Sequence, residues 1–486
     1  LSPYLIKDMS LIINTIKNLI DISEEENKLF YSKLKGLERS HVSIALKYHL
    51  SWKELSIIHV NTPKLSGINI ESSFIREYNR GSYYAHILGY TSNEVNKYST
   101  SKKTGKFSTG KTGIEKVYDS YLRGIPGIEQ IEVNAQGNYV RRLNLEKSKK
   151  GYNVQLTINS ELQSYTHKIL GPNIGAALVM DANNGNILSS ASSPSYDPNI
   201  FSKTLNHIDW QKIINKKNAP LVNRTIHGLY PPGSTFKPVV ALAALKYGLI
   251  KKTDKIFCNG LYTLGNRDFH CWNRTGHGNV NLTDAIAQSC DVYFYEIALK
   301  LGIERISETA KLLGFGSYYD EYFGVSKSIV PNKKWKKNLY NEKWQKGETL
   351  NVGIGQGFLL ATPIELAIMT ANLINGGKII KPKIVKAFSV DNLSANPLVE
   401  FNNFKIEHLN IIKDSMYKVV NSSKGTARKS RSNDKDFSIS GKTGTSQVRI
   451  ISANERATGI IKNKDLPFNK RDHALFIGFA PYEKPR

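Results

Sequence analysis

Leu55, Ile57, Ile58 and Val60 follow the polar run Ser51-Trp52-Lys53-Glu54, a Ser-x-x-Glu box that opens a helix. In such a box the serine hydroxyl and the glutamate carboxylate each satisfy a backbone N–H that the first turn leaves free. Ser23-Glu24-Glu25-Glu26 repeats the device, so residues 1–70 read as mainly helical. Residues 71–150 are mixed, with Gly-rich turns and short strands. The run Ser99 to Lys111 is polar and basic and reads as an exposed loop. Lys147 to Gly151 is charged punctuation, and after it Asn153-Val-Gln-Leu-Thr-Ile158 alternates as a strand does. This places a domain boundary between residues 152 and 153, giving domains 1–152 and 153–486.

Beyond the boundary, Gly175-Ala-Ala-Leu-Val-Met-Asp181, the turn Asn183-Asn184-Gly185 and Asn186-Ile-Leu-Ser-Ser-Ala191 predict a hairpin. Helical patterns fill the middle. Strand patterns return at Phe437-Ser-Ile-Ser440 and Ala474-Leu-Phe-Ile-Gly-Phe479. Strands at both ends with helices between them predict an α+β fold, an antiparallel sheet covered by helices.

Composition changes this picture little. The 486 residues are 40% hydrophobic and 22% charged, which excludes a wholly disordered chain. The net charge of +26 favours an anionic partner. Its lysines are scattered, and aromatics do not interleave with basic runs as a nucleic-acid site requires, so no nucleic-acid partner is expected. No run of about 18 apolar residues and no signal peptide is visible. The chain opens on Leu1 and stops after Lys484-Pro485-Arg486, which reads as a trimmed product.

The chemistry concentrates in Tyr230-Pro-Pro-Gly-Ser234-Thr-Phe-Lys237-Pro-Val-Val-Ala-Leu-Ala-Ala-Leu245. A loop ends at two prolines and a glycine, and an apolar helix runs on to Gly248. Pro238 is tolerated only in a first turn. Ser234 therefore sits at the helix start, where the dipole favours negative charge, and Lys237 lies one turn on, on the same face. A serine hydroxyl is a poor nucleophile until a base removes its proton. A lysine serves as that base only when burial or neighbouring cations lower its pKa. The bare spacing also occurs at Ser32/Lys35, Ser99/Lys102, Ser108/Lys111 and Ser432/Lys435, all in polar segments that read as ordinary surface. Ser289-Cys290-Asp291 precedes a largely apolar helix. Gly441-Lys442-Thr443-Gly444-Thr445 follows the Phe437–Ser440 strand, and its lysine and hydroxyls suit a carboxylate. Lys-Thr-Gly at 103–105 and 111–113 precedes the serine, lies in loop sequence and is set aside.

In this order the three motifs resemble the signature of the penicillin-binding protein superfamily: Ser-x-x-Lys, Ser-x-Asn, Lys-Thr-Gly. Across nearly the whole chain the sequence looks like a class B member of the elongation type. Arg76-Glu-Tyr-Asn-Arg-Gly81, His86-Ile-Leu-Gly-Tyr90, Asn351-Val-Gly-Ile-Gly-Gln-Gly357 and Arg471-Asp-His-Ala-Leu475 carry the closer match. Asp291 departs from the usual Asn. The resemblance implies catalytic roles for Ser234, Lys237, Ser289 and Lys442. It implies substrate contacts for Asp291, Thr443, Gly444 and Thr445, with Ser234 and Thr445 N–H groups as oxyanion hole. It implies a D,D-transpeptidase acting on peptidoglycan stem peptides in cell elongation and rod-shape maintenance, acylated by beta-lactams. It further implies a periplasm-facing place at the bacterial inner membrane, through an anchor missing from this chain. Residues 1–152 become an α+β pedestal that docks a membrane-embedded glycan polymerase. The family also leads one to expect a further strand and closing helix after Pro481, so a weakly active or unstable product is expected. A beta-lactamase, a D,D-carboxypeptidase and a non-enzymatic beta-lactam sensor are the alternatives.

The three cysteines, Cys258, Cys271 and Cys290, fall in one window with His277 between the last two, as Cys-x12-Cys-x5-His-x12-Cys. Three thiolates and an imidazole suit a closed tetrahedral zinc site. A disulfide is the competing reading, since a periplasm is oxidising, and His270 is an alternative ligand. The expectation is a structural zinc, with no cofactor for the chemistry. The basic loop Arg449 to Lys470 reads as solvated, and Pro331-Asn-Lys-Lys-Trp-Lys-Lys337 as an exposed surface turn.

Overall fold

The fold comes from a computed structural model. It describes residues 1–36, 43–71, 75–95, 106–125, 127–134, 139–202, 210, 211, 213, 214, 218–317, 324–388, 400–434, 436–449, 455 and 458–486. The pairs Ser99/Lys102 and Lys103–Gly105, and Lys435 of the Ser432 pair, lie outside the described residues.

Two compact units emerge. The first holds Leu1–Asn153 and Ser195–Leu221; the second holds Val154–Pro194 and Val222–Arg486. The sequence boundary assigned all of 153–486 to one domain, whereas Ser195–Leu221 packs with the first unit. Side chains far apart in sequence hold it there. Asn199 Oδ1 accepts from the Tyr78 N–H at 2.8 Å and its Nδ2 donates to Tyr78 O at 3.0 Å. The Ser195 hydroxyl donates to Ser82 O at 2.6 Å.

In the first unit, helices Met9–Leu19, Glu24–Leu34 and Trp52–Asn61 enclose Ile13, Ile16, Phe30, Leu34 and Ile58. Both expected capping boxes form, at Ser23/Glu26 and Ser51/Glu54. The Ser99–Lys111 loop expectation needs correction at its end. Lys106–Gly110 is a strand paired antiparallel with Thr91–Val95, a non-local partner that local polarity does not reveal. Ile128–Val133 and Tyr139–Glu146 form a second hairpin.

The second unit is built on the predicted hairpin, Gly175–Met180 with Ile187–Ser193, and on Ser440–Ser446 with His473–Phe479. Val154–Leu156 pairs with Val385–Phe388. All these ladders are antiparallel. The helix Lys237–Lys246 is buried on every side from Lys237 to Leu245, so it is the axis of the core. Helices Asp291–Leu301, Pro363–Ile374 and Ile406–Asn421 contribute to the same core. The Phe437–Ser440 strand is displaced: the strand is Ser440–Ser446, so Lys-Thr-Gly lies within it rather than after it. The segment Pro331–Lys337 is not a surface turn. Asn332 caps a helix, Lys333–Tyr340, whose Lys336 is 3% exposed and pairs with Glu348 and Glu342. Among the described residues no helix is long and apolar enough to cross a membrane.

Candidate active site

Ser234 lies in a short 3-10 turn, Gly233–Phe236, that feeds directly into the helix Lys237–Lys246 with Pro238 in its first turn. The turn is held from two sides. Tyr230 and Ala361 exchange backbone hydrogen bonds of 2.9 Å, and the Gly233 N–H donates to Gly355 O at 2.8 Å. Gly233 has φ +54° and Gly355 φ +77°, conformations that side chains with a Cβ rarely adopt. A Cβ on Gly355 would also overlap Gly233 O. A Cβ on Gly233 would stand 2.7 Å from Thr445 O. The serine turn thus rests directly on the strand that carries Lys-Thr-Gly-Thr.

Lys237 and Lys442 are both fully buried. Lys237 Nζ donates to Ser289 O at 2.9 Å, Ser289 Oγ at 3.2 Å and Asp291 Oδ1 at 2.8 Å. Lys442 Nζ donates to Ser289 Oγ at 3.0 Å and to Thr443 O at 3.0 Å. Burial, and then the Lys237 charge, push the Lys442 pKa well below the ordinary lysine value, with Asp291 opposing. Two like charges at one hydroxyl disfavour double protonation. Ser289 joins the helices Leu282–Ala287 and Asp291–Leu301 at φ +56°, an uncommon conformation for a residue with a side chain. That conformation presents its hydroxyl to both lysines. Among the described residues, Ser234 Oγ has no hydrogen-bond partner.

Thr445 is exposed, and its carbonyl accepts from Gln356 Nε2 at 3.2 Å. The Thr443 hydroxyl pairs with that of Thr426 at 2.8 Å. Neither Gln356, in the stretch Asn351–Gly357, nor Thr426, in a polar run, carries a pattern that marks it in the sequence.

The residues of the expected metal cluster also meet. Donor atoms of Cys258, Cys271, His277 and Cys290 all lie within 4.8 Å of one another. Pairing of Ile256–Cys258 with Gly278–Val280 brings Cys258 against His277, whose N–H donates to Cys258 O at 3.0 Å. His277 Nδ1 lies 3.6 Å from Cys258 Sγ and 3.5 Å from Cys271 Sγ. Cys290 is the N-cap residue of Asp291–Leu301. All three cysteines are free thiols and buried, and the cluster uses His277 rather than His270. The Cys290 thiol donates to Cys271, which lowers the Cys271 pKa and raises that of Cys290. A compact, buried set of soft donors around one imidazole fits a tetrahedral zinc.

Residues 175–486 match the penicillin-binding protein transpeptidase domain, and residues 2–156 match the penicillin-binding protein dimerisation domain. The peptidoglycan D,D-transpeptidase MrdA of Salmonella typhimurium is 33% identical over 506 residues, covering 100% of this chain and 80% of that relative. Among solved structures, penicillin-binding protein 2 of Helicobacter pylori, in complex with MreC, aligns with a TM-score of 0.82 at 30% identity. That alignment covers 99% of this chain and 87% of the other. A peptidoglycan synthase complex, described as coordinating polymerization and crosslinking, aligns with a TM-score of 0.72 at 26% identity, covering 95% and 79%. With both domains matched and its motifs assembled in one place, the chain belongs to the class B penicillin-binding proteins.

Proposed function

We propose that the chain is an elongation-type peptidoglycan D,D-transpeptidase, cross-linking stem peptides through a serine acyl-enzyme. Ser234 Oγ attacks the carbonyl carbon of the penultimate D-Ala, and Lys237 takes the hydroxyl proton as the O–C bond forms. Backbone N–H groups of Ser234 and Thr445 hold the oxyanion, each such donor contributing about 3–4 kcal/mol. The C–N bond to the terminal D-Ala then breaks. Its nitrogen takes a proton relayed by Ser289, with Lys442 assisting. Thr443 and Thr445 hydroxyls, either side of Gly444, hold the terminal carboxylate. An amine of a neighbouring stem peptide next forms a C–N bond to the acyl carbon. The Oγ–C bond breaks, and the proton lost by the amine returns to Ser234 through the lysine. The chemistry needs no cofactor.

The observation that carries this reading is the meeting of two buried lysines on the Ser289 hydroxyl beside the Ser234 turn. Mass spectrometry after incubation with a labelled penicillin tests it. The expected result is a lasting adduct on the Ser234 peptide, absent in Ser234→Ala. Rapid loss of the adduct would mark a beta-lactamase, and D-Ala release without cross-linking a carboxypeptidase.

Cys258, Cys271, His277 and Cys290 are assigned to a structural zinc. Bound there, the metal supplies rigidity to the loop that presents Ser289, because Cys290 is the next residue. Residues 1–152 are assigned as a pedestal that docks a membrane-embedded glycan polymerase, at the periplasmic face of the inner membrane. The polymerization–crosslinking complex among the structural relatives supports this. Loss of polymerase co-purification on surface substitution within residues 1–152 checks it.

A further inference from the structure

We propose that Asp291 is a positioning residue for Lys237 rather than a substrate contact, an inference that rests on the transpeptidase reading above. Asp291 opens the helix Asp291–Leu301 and is 8% exposed. Both carboxylate oxygens are engaged inside the protein. Oδ1 accepts from Lys237 Nζ at 2.8 Å, and Oδ2 accepts from the Trp272 backbone N–H at 2.8 Å. The two neighbours are both donors. A carboxylate satisfies them together, whereas an asparagine offers one oxygen and one NH2. Whichever way an amide turned, its NH2 would face either an ammonium or a backbone N–H. The aspartate at the third place of this motif is therefore what its surroundings require.

The same contacts define its work. Asp291 is the carboxylate paired with the two-lysine site; among the described residues neither Lys237 nor Lys442 pairs with another. It fixes where Lys237 Nζ stands and neutralises the ammonium form of that lysine, the form it has whenever it carries the proton taken from Ser234. Its own place is set from the cysteine cluster. Trp272 follows Cys271 in the chain, the Asp291 N–H donates to Cys271 Sγ at 3.4 Å, and the Trp272 ring N–H donates to Gln288 O at 3.0 Å. The catalytic lysine is thus tied through one carboxylate to the Cys271-Trp272 segment of the cysteine cluster.

The test uses the full chain with Asp291→Asn and Asp291→Glu, and a labelled penicillin over a range of concentrations. In Asp291→Asn the acylation rate at saturation should fall about 100-fold, as misplacement of a reacting group does, while the half-saturation concentration stays put. Asp291→Glu should recover part of the rate. A substrate contact would instead shift the half-saturation concentration, and that result, or a wild-type rate in Asp291→Asn, overturns the proposal. Thermal melts supply a readout independent of activity. Asp291→Asn should lower the Tm, and most of that loss should vanish in a Lys237→Met background, where no buried ammonium is left unpaired. If Asp291→Asn does not fold, the double variant decides: folding like Lys237→Met alone supports the pair, and failure to fold overturns it. Wild-type protein that forms no Ser234 adduct would sink the transpeptidase reading; an adduct together with an indifferent Asp291→Asn sinks only this inference.

Discussion

Lys442 Nζ donates to Ser289 Oγ at 3.0 Å across 153 positions of chain, and Lys237 Nζ reaches the same oxygen at 3.2 Å. One hydroxyl oxygen accepts from both amines, so its own proton is the one left to pass onward.

Ser289→Ala removes the shared acceptor. Acylation by a labelled penicillin should fall by about 100-fold or more, the scale of a lost proton-transfer group. Because residue 289 has φ +56°, Ser289→Gly should be equally slow yet melt above Ser289→Ala. Stopped-flow acylation and thermal melts of the pair check this.

Lys442 gives stability a pH dependence. Its pKa in the fold is lowered by burial and by Lys237, while the unfolded value is about 10.4. Between the two the unfolded chain binds more protons, so stability rises with pH across that window. Below the lowered value the fold bears the whole cost of a buried charge. Lys442→Met has no such titration. The Tm of the wild type should therefore climb relative to Lys442→Met as pH is raised towards about 10, and a constant difference would contradict the assignment.

If Cys258, Cys271, His277 and Cys290 hold zinc as proposed, its removal should loosen the Ser289 loop, since Cys290 separates Ser289 from Asp291. Purified protein should carry zinc at one per chain. Chelation, or Cys271→Ser, should lower the Tm and slow acylation together, because metal affinity feeds directly into folding stability. Zinc well below one per chain with full acylation would remove the assignment.

Gly355→Ala places a methyl where Gly233 O now lies, at a backbone conformation unfavourable to alanine. The Ser234 turn must shift. A displacement near 1 Å should slow acylation about 100-fold, with the adduct still confined to Ser234. Rates close to wild type would show that the turn accommodates the methyl elsewhere.

The meeting of the Ser-x-x-Lys, Ser-x-Asp and Lys-Thr-Gly motifs was legible because their signals are local. A serine and lysine one turn apart, after Pro-Pro-Gly and before an apolar helix, hardly depend on tertiary context. The cysteine window was legible for its rarity. What failed was non-local. Gly441 and Gly444 made the Lys-Thr-Gly segment read as the end of a strand, yet pairing with His473–Phe479 carries the ladder through Ser446. Lys106–Gly110 is polar and becomes a strand only through Thr91–Val95. Gln356 and Thr426 act on a carbonyl and a hydroxyl brought close by folding, and no periodicity records that. The buried Lys336 was hidden because a lysine-rich run reads as solvent-facing until its glutamate partners are placed.

The return of Ser195–Leu221 to the first unit makes the backbone pass between the units three times, after Asn153, Pro194 and Leu221. A protease that nicks the chain between Asn153 and Val154 would not liberate two independent bodies. The downstream fragment would keep its grip on Tyr78 and Ser82 through Asn199 and Ser195. Clean separation takes three scissions, so a transpeptidase unit prepared by simple N-terminal deletion would carry an orphaned insertion shorn of its packing partners.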